Sequence, residues 1–180
     1  MDDRKRRFEE AALPHLDAAY NLARWLTRND HDAEDVVQEA FLRAYRYFDG
    51  LRSGESRPWL LAIVRNTCFT WLRANRPAEI SGGLETGMEG AELADFDANP
   101  EELASIHFNR VTLNEAISAL PAAFREVLIL RELEDLSYRD ISRIVEVPIG
   151  TVMSRLSRAR RLLQQSLRVI TRARVPGVHK

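Results

Sequence analysis

The sequence predicts an all-α fold of two small helical domains joined by a flexible acidic linker. Apolar residues recur at spacings of three and four in two blocks, 8–76 and 113–170, which is the period of an amphipathic helix. The intervening residues 77–112 carry eight acidic residues, four glycines and a single base, Arg110, which is typical of a linker. A basic tail, 171–180, follows the second block. No stretch shows the alternation expected of a strand.

The first block contains three predicted helices. Pro58, near the start of the third, stands where a missing N–H has little cost, and that helix ends before Pro77. The string NDHD at 29–32 supplies capping candidates and early acids for the second helix. The predicted buried face of the first helix comprises Leu13, Leu16, Ala19, Tyr20, Ala23 and Leu26. That of the second comprises Val37, Ala40, Phe41, Ala44, Tyr45 and Phe48.

The second block ends in a predicted helix-turn-helix. Pro121 opens a helix, and Ser137 with Asp140 has the spacing of a capping box at the start of the next. The turn VPIG then leads into a basic final helix. Its predicted core-facing stripe is Val152, Leu156, Ala159 and Leu163.

Charge along the chain indicates a nucleic-acid contact at the C-terminal end. The formal net charge is −1, yet from Val147 to Lys180 there are eight bases and no acid. A solvated basic helix is the alternative, but the capped preceding helix, the Gly-containing turn and the absence of acids together favour a helix that reads DNA. The predicted base contacts are Met153, Ser154, Ser157 and Arg158. The predicted phosphate contacts are Thr151, Arg155, Arg160 and Arg161.

The cysteine content and the hydropathy of the chain predict a cytoplasmic protein. The single cysteine, Cys68, excludes an internal disulfide and fits a reducing compartment. Since Cys68 lies between apolar residues without a second cysteine, we expect a buried structural thiol and not a redox sensor. The N-terminus leads into no apolar run, and no stretch approaches a membrane span, so we expect a cytoplasmic protein without membrane insertion. No cofactor or metal site is expected.

Both blocks resemble one family, the extracytoplasmic-function (group IV) sigma factors of bacterial RNA polymerase. The string DAEDVVQEAFLRAYRYF resembles their region 2.2, and RPWLLAIVRNTCFTWLRANR is similar to regions 2.3 and 2.4. The string LSYRDISRIVEVPIGTVMSRLSRARRLL resembles region 4.2.

The resemblance implies a promoter-specificity subunit and not an enzyme. It implies that residues 8–76 form region 2, which binds the clamp helices of the largest catalytic subunit and reads and opens the −10 element. Residues 113–170 then form region 4, which binds the flap of the other large subunit and reads the −35 element. Control by an anti-sigma factor is also implied.

The resemblance also implies roles for residues of the first block. Gln38 and Glu39 fall where the family contacts the polymerase clamp. The string DGLRSGES matches the loop that captures a flipped −10 base, where Arg52, Ser53 and Ser56 can donate hydrogen bonds. Arg65 and Asn66 match positions that line the single-strand path. Trp59 is expected in the core, and Trp71 stays open between core packing and base stacking.

Two other classes of function compete with this interpretation. A self-sufficient helix-turn-helix regulator would use the first block as a sensing or dimerisation domain. An enzyme such as a recombinase or nuclease needs clustered carboxylates, and the nearest cluster, Asp32, Glu34 and Asp35, is explained by its place at a helix start. The two-block resemblance favours the sigma factor over both.

Overall fold

The structure, a computed structural model, describes residues 3–51, 54–81 and 110–174. Every regular element in these ranges is a helix, so the all-α prediction is confirmed. Two modules are separated by residues 82–109. The first module contains α1 (Asp3–Ala12), α2 (Leu16–Thr27), α3 (Asp30–Arg46), α4 (Ser56–Asn75) and α5 (Pro77–Ser81), with 3₁₀ turns at Leu13–His15 and Phe48–Gly50. The second contains α6 (Arg110–Ser118), α7 (Ala122–Glu132), α8 (Tyr138–Val145) and α9 (Ile149–Arg174).

The first module is built on α2, α3 and α4, which pack against one another. The aromatic ring of Phe8 on α1 makes edge-to-face contacts with Phe41, Tyr45 and Phe48. The other buried side chains of this core include Leu22, Leu26, Val36, Ala40, Leu60, Val64 and Leu72. The result is a bundle of helices around one apolar core.

The predicted buried face of the first helix is partly wrong. Leu13 and Leu16 are 52% and 41% exposed, whereas Ala19, Ala23 and Leu26 are buried as predicted. Pro14 lies in the 3₁₀ turn Leu13–His15, which has a different number of residues per turn from α2. The helical phase of α2 therefore does not extend back to Leu13.

Predicted capping residues define the starts of two helices, α3 and α8. The Asn29 side-chain oxygen accepts a hydrogen bond from the Asp32 N–H at 3.0 Å at the start of α3. At the start of α8, Ser137 Oγ accepts from the Asp140 N–H at 3.1 Å and donates to Asp140 Oδ2 at 2.8 Å. The α8 helix ends at Val145, and the next residue, Glu146, has a left-handed φ of 57° that begins the turn before α9.

The two modules pack directly against each other. The second-module helices α7 and α8 lie against α2 and α4 of the first module. Both ends of the predicted linker 77–112 are helical. The α5 helix spans Pro77–Ser81, and α6 begins at Arg110, before the predicted end of the linker. In the described ranges, no helix is both long and apolar enough to cross a membrane.

Candidate nucleic-acid interface

The final helix, α9, has one buried and one exposed face, as predicted. Val152, Leu156 and Ala159 are fully or almost fully buried, and Leu163, the last residue of the predicted stripe, is half-buried against the core. Opposite them, Met153 is 53% exposed, and Ser157 and Arg161 also face solvent. Because α9 follows a capped helix and a tight turn, this outer face has the placement of a recognition helix that enters a major groove.

The other predicted contact residues near the start of α9 are less exposed. Ser154 is half-buried, and its hydroxyl donates to the Thr151 carbonyl oxygen at 3.0 Å. Thr151 and Arg158 are half-buried as well. Ser157 therefore presents its hydroxyl to solvent more openly than Ser154 does.

Two arginines of α9 meet carboxylates of α7. Arg160 donates to Glu132 Oε1 through Nε at 3.1 Å and Nη2 at 2.6 Å, and this hydrogen bonding raises the pKa of Arg160. Arg155 is only 18% exposed, and its Nη1 lies 3.7 Å from Glu126 Oε1. Arg160 remains half-exposed at the edge of the helix. The Arg155 side chain, in contrast, must turn away from Glu126 before it can contact a phosphate.

The predicted −10 residues that the structure describes lie at both the start and the middle of α4. Ser56 Oγ is 3.1 Å from His15 Nε2, and burial, followed by the charge of Arg57, lowers the pKa of His15. Asn66 is exposed. Arg52 and Ser53 lie outside the described residues.

Arg65 is held by a carboxylate of the other module. Its Nε donates to Glu126 Oε2 at 2.7 Å and its Nη2 to Glu126 Oε1 at 3.1 Å, a bidentate pair. The guanidinium also stacks on the Phe69 ring at 4.1 Å, and its Nη1 lies 3.3 Å from Asn66 Oδ1. In this arrangement the Arg65 side chain is 16% exposed.

A cavity lies beside Gln38, one of the two α3 residues that are predicted to contact the polymerase. It measures about 340 Å³ and is lined by Leu16, Asp17, Tyr20, Glu34, Val37 and Gln38. Glu39 is exposed but does not line this cavity, and its carboxylate accepts from Arg43 Nε at 2.7 Å. Exposed Leu16 gives the cavity an apolar wall beside the polar side chain of Gln38, a combination that protein-binding surfaces commonly have.

The tryptophans and Cys68 of α4 contribute to the core. Trp59 is half-buried and packs near Phe48, with ring centroids 6.4 Å apart, as predicted. Trp71 also packs against the core, and the Arg76 guanidinium lies over its ring at 5.2 Å. Cys68 is fully buried, and burial, with the charge of Glu126 as the second cause, raises the pKa of its thiol to about 12.

Among the described side chains, no three His, Cys, Asp or Glu residues are grouped as metal ligands.

Comparison with known proteins identifies the family. The model described as Sigma-70 region 2 matches residues 12–78, and the model described as Sigma-70, region 4 matches residues 110–163. The ECF RNA polymerase sigma-E factor of Haemophilus influenzae is 38% identical over 153 residues, which cover 81% of this chain and 79% of that protein. This chain belongs to the extracytoplasmic-function sigma factors.

Further relatives support the assignment of this chain to the sigma factors. The ECF RNA polymerase sigma factor SigW of Bacillus subtilis is 32% identical over 86% of this chain and 85% of its own length. Among solved structures, the sigma factor RpoE of Bartonella quintana, in complex with the anti-sigma factor NepR, superimposes with a TM-score of 0.68. It is 29% identical, and the match covers 91% of this chain and 98% of that one.

Sequence reasoning missed the acidic residues that this sigma factor places between its modules. Glu126 is fully buried and Glu134 is 8% exposed, and both bind arginines of α4. A signal was present in the string REVLIL at 125–130, where every residue is buried. A charged pair within such an apolar run indicates a helix that is covered on more than one side, because buried charges need partners.

Proposed function

We propose that this sigma factor binds core RNA polymerase and directs it to promoters by reading two DNA elements. In this proposal the second module, 113–170, reads the −35 element with the outer face of α9. The observation that carries the proposal is that face: Met153, Ser157 and Arg161 are exposed, while Val152 and Leu156 anchor the opposite side in the core. Arg158 reads a base edge, and Thr151, Arg155, Arg160 and Arg161 bind phosphates.

In the same proposal the first module, 8–76, opens and reads the −10 element. Ser56, Arg65 and Asn66 lie on α4, and Arg52 and Ser53 belong to the loop before it. An exposed amide such as that of Asn66 can bond a base edge, and a guanidinium can pair with phosphate or stack on a base. Unstacking a base costs a few kcal/mol, which these contacts must offset.

Polymerase binding is assigned to the cavity between α2 and α3 and to the flap contact of the second module. Gln38 lines that cavity, and Glu39 stands beside it on the same exposed surface of α3. The polymerase supplies the chemistry, so this sigma factor acts as a non-enzymatic subunit in the cytoplasm, where the transcription machinery works. The similarity to RpoE, solved with the anti-sigma factor NepR, supports a similar inhibitory partner here.

Run-off transcription with core polymerase on a genomic fragment library tests the proposal. Core with the sigma factor should transcribe a defined set of fragments that core alone ignores, and the set should share a two-part motif. Selection of the same fragments by the purified protein without core, with a Kd of about 10⁻⁸ M, would instead identify a self-sufficient helix-turn-helix regulator.

Substitution at the cavity tests the polymerase contact separately. Gln38→Ala should weaken core binding by about 1 kcal/mol or more, because it removes a polar side chain at the rim of the interface. Arg46→Ala, an exposed residue at the far end of α3, is the matched control. Equal core affinity of the two variants in fluorescence titrations would contradict the assignment of Gln38.

A further inference from the structure

Two apolar side chains are exposed at the start of α9. Ile149, the first residue of the helix, is 44% exposed, and Met153 is 53% exposed. Residues four apart are neighbours on one side of a helix, so these two side chains form one apolar strip. The core-facing side of α9 is formed by other residues, because Val152 and Leu156 are 0% and 1% exposed. The packing of the second module therefore does not account for the strip.

The surroundings of this apolar strip are polar and basic. Ser157 continues the row by one more turn with an exposed side chain, and Arg160 and Arg161 are exposed about two turns beyond Met153. From Val147 to Lys180 the sequence has no acidic residue. The core of a protein–protein interface is depleted of charged residues. Two apolar side chains close to arginines instead suit a polyanion that also carries small apolar groups.

The major groove of DNA offers such a group, the C5-methyl of thymine. The other bases present hydrogen-bond donors and acceptors at that edge, so an apolar side chain favours a T·A pair. A recognition helix brings its N-terminal residues to the base edges. Ile149 and Met153 are the first and fifth residues of α9. The flexible thioether of Met153 can also adapt its shape to the partner that it meets.

We propose that Met153, supported by Ile149, reads the C5-methyl of a thymine in the −35 element. The proposal rests on the proposed function, which places α9 in the major groove of that element, and it adds the base that this part of the helix selects. Arg158 lies five residues after Met153, about 140° further round the helix, so the two side chains meet different base pairs. The promoters of this sigma factor should therefore share a T·A pair that Arg158 does not read.

Replacement of thymine by deoxyuridine tests the contact at the level of one methyl group. The replacement keeps base pairing and the O4 acceptor and removes only the C5-methyl. Each thymine of the −35 element, on either strand, is replaced in turn in a promoter recovered with the parent protein. Competition binding of the polymerase complex should show one position at which deoxyuridine weakens binding about four-fold, as burial of one methyl group predicts.

Variants of Met153 assign that methyl group to its side chain. Met153→Ala removes the apolar contact, and Met153→Gln keeps the length of the side chain but makes its end polar. In both variants the preference for thymine over deoxyuridine at the sensitive position should fall below about 1.5-fold, because the two groups no longer interact. Met153→Leu keeps an apolar side chain and should retain a preference of at least about two-fold. Ile149→Ala should reduce the preference to about half of its parent value.

Val169→Ala is the matched control. Val169 is an apolar residue of the same helix and is 67% exposed, but it lies 16 residues beyond Met153. The preference for thymine should stay at about four-fold in this variant. Thermal unfolding should be unchanged in the Met153 and Val169 variants, because both side chains are exposed. A lost preference in Met153→Ala then reports a lost contact and not a lost fold.

Three outcomes overturn the proposal. The first is that deoxyuridine is neutral at every −35 position. The second is that the preference for thymine persists in Met153→Gln. The third is that Met153→Ala lowers the affinity for core polymerase while the preference for thymine is unchanged, which assigns the apolar strip to a protein contact.

The proposed function can fail separately from this reading of thymine. If promoters are selected but no thymine is sensitive, the proposed function stands and the role of Met153 is wrong. If the protein instead selects duplex sites without core polymerase, the proposed function is wrong. The same deoxyuridine series on those sites then decides the methyl contact, because a helix-turn-helix reads the major groove in either case. Selection of no duplex site with or without core overturns both.

Discussion

The arginines of α9 carry the same charge but have different surroundings. Arg158 is half-buried beside the exposed face, Arg160 pairs with Glu132 at the helix edge, and Arg155 lies against the buried Glu126. A guanidinium on the outer face can reach base edges, whereas one at the edge meets the phosphate backbone first. The role of each arginine therefore follows from its direction and not from its charge.

Arg158→Ala and Arg160→Ala should change promoter binding differently. Arg158→Ala should cost about 1–3 kcal/mol at one −35 base pair and relax the preference there. Arg160→Ala should weaken binding to all sequences alike and reduce the salt slope by about one. Competition binding of the polymerase complex to −35 variants at several salt concentrations measures both effects. Identical behaviour of the two variants would contradict the division of α9 into a base-reading face and a phosphate-binding edge.

Cys68 should be chemically inert in the folded protein. Its side chain is fully buried, and burial raises the pKa of the thiol to about 12, so little thiolate exists at neutral pH. Reaction with a thiol reagent should be slow under native conditions and at least about a hundred-fold faster in denaturant. A fast native reaction would show that α4 opens readily or that the thiol has a sensing role.

At this scale the sequence predicts which residues are buried in α9 but not which carboxylates meet its arginines. The Val152, Leu156 and Ala159 stripe follows from helical spacing alone, which is a local property. The pairs of Glu126 with Arg65 and Arg155 join three different helices, and no local pattern determines them. The same reason hides the orientation of Arg65, because its carboxylate partner lies on another helix.

At the scale of the element, caps and prolines define most helix boundaries. Asn29, Ser137 and Pro58 act within one turn of their helix, so their effect could be predicted from neighbouring residues. The incorrect face for Leu13 and Leu16 arises from Pro14, which changes the helical period over three residues. The early start of α6 at Arg110 carries no such local signal, and its packing against α9 supplies the stabilisation.

The cap of α8 gives a direct test of local stabilisation. Ser137→Ala removes the acceptor for the Asp140 N–H and should lower the free energy of unfolding by about 1 kcal/mol. Ser157→Ala, an exposed position inside α9, is the matched control and should change it by less than about 0.5 kcal/mol. Urea unfolding followed by circular dichroism compares the two. Equal stability of both variants would mean that tertiary packing alone fixes the start of α8.

For the whole molecule, charged pairs of both directions join the two modules. Glu126 of the second module pairs with Arg65 of the first, and Glu55 of the first module pairs with Arg143 of the second. In the proposed function the two modules stand apart on promoter elements two to three helical turns from each other, which is roughly 70–100 Å at about 34–36 Å per turn. The connection between the modules must span whatever distance the polymerase imposes.

Shortening this connection should abolish transcription from promoters that need both elements. Residues 82–109 join α5 to α6, and at full extension they reach about 90–100 Å. Deleting residues 85–104 leaves a segment that reaches at most about 29 Å, too short for both modules to occupy their elements. Replacing residues 85–104 by a Gly/Ser segment of equal length preserves the reach and should preserve transcription, while it removes the acidic side chains.

Run-off transcription on a promoter recovered with the parent protein compares the two variants. If the shortened protein transcribed as well as the parent, the two modules would not be bound simultaneously to separated elements, whereas failure of the equal-length replacement alone would assign a direct role to the acidic residues.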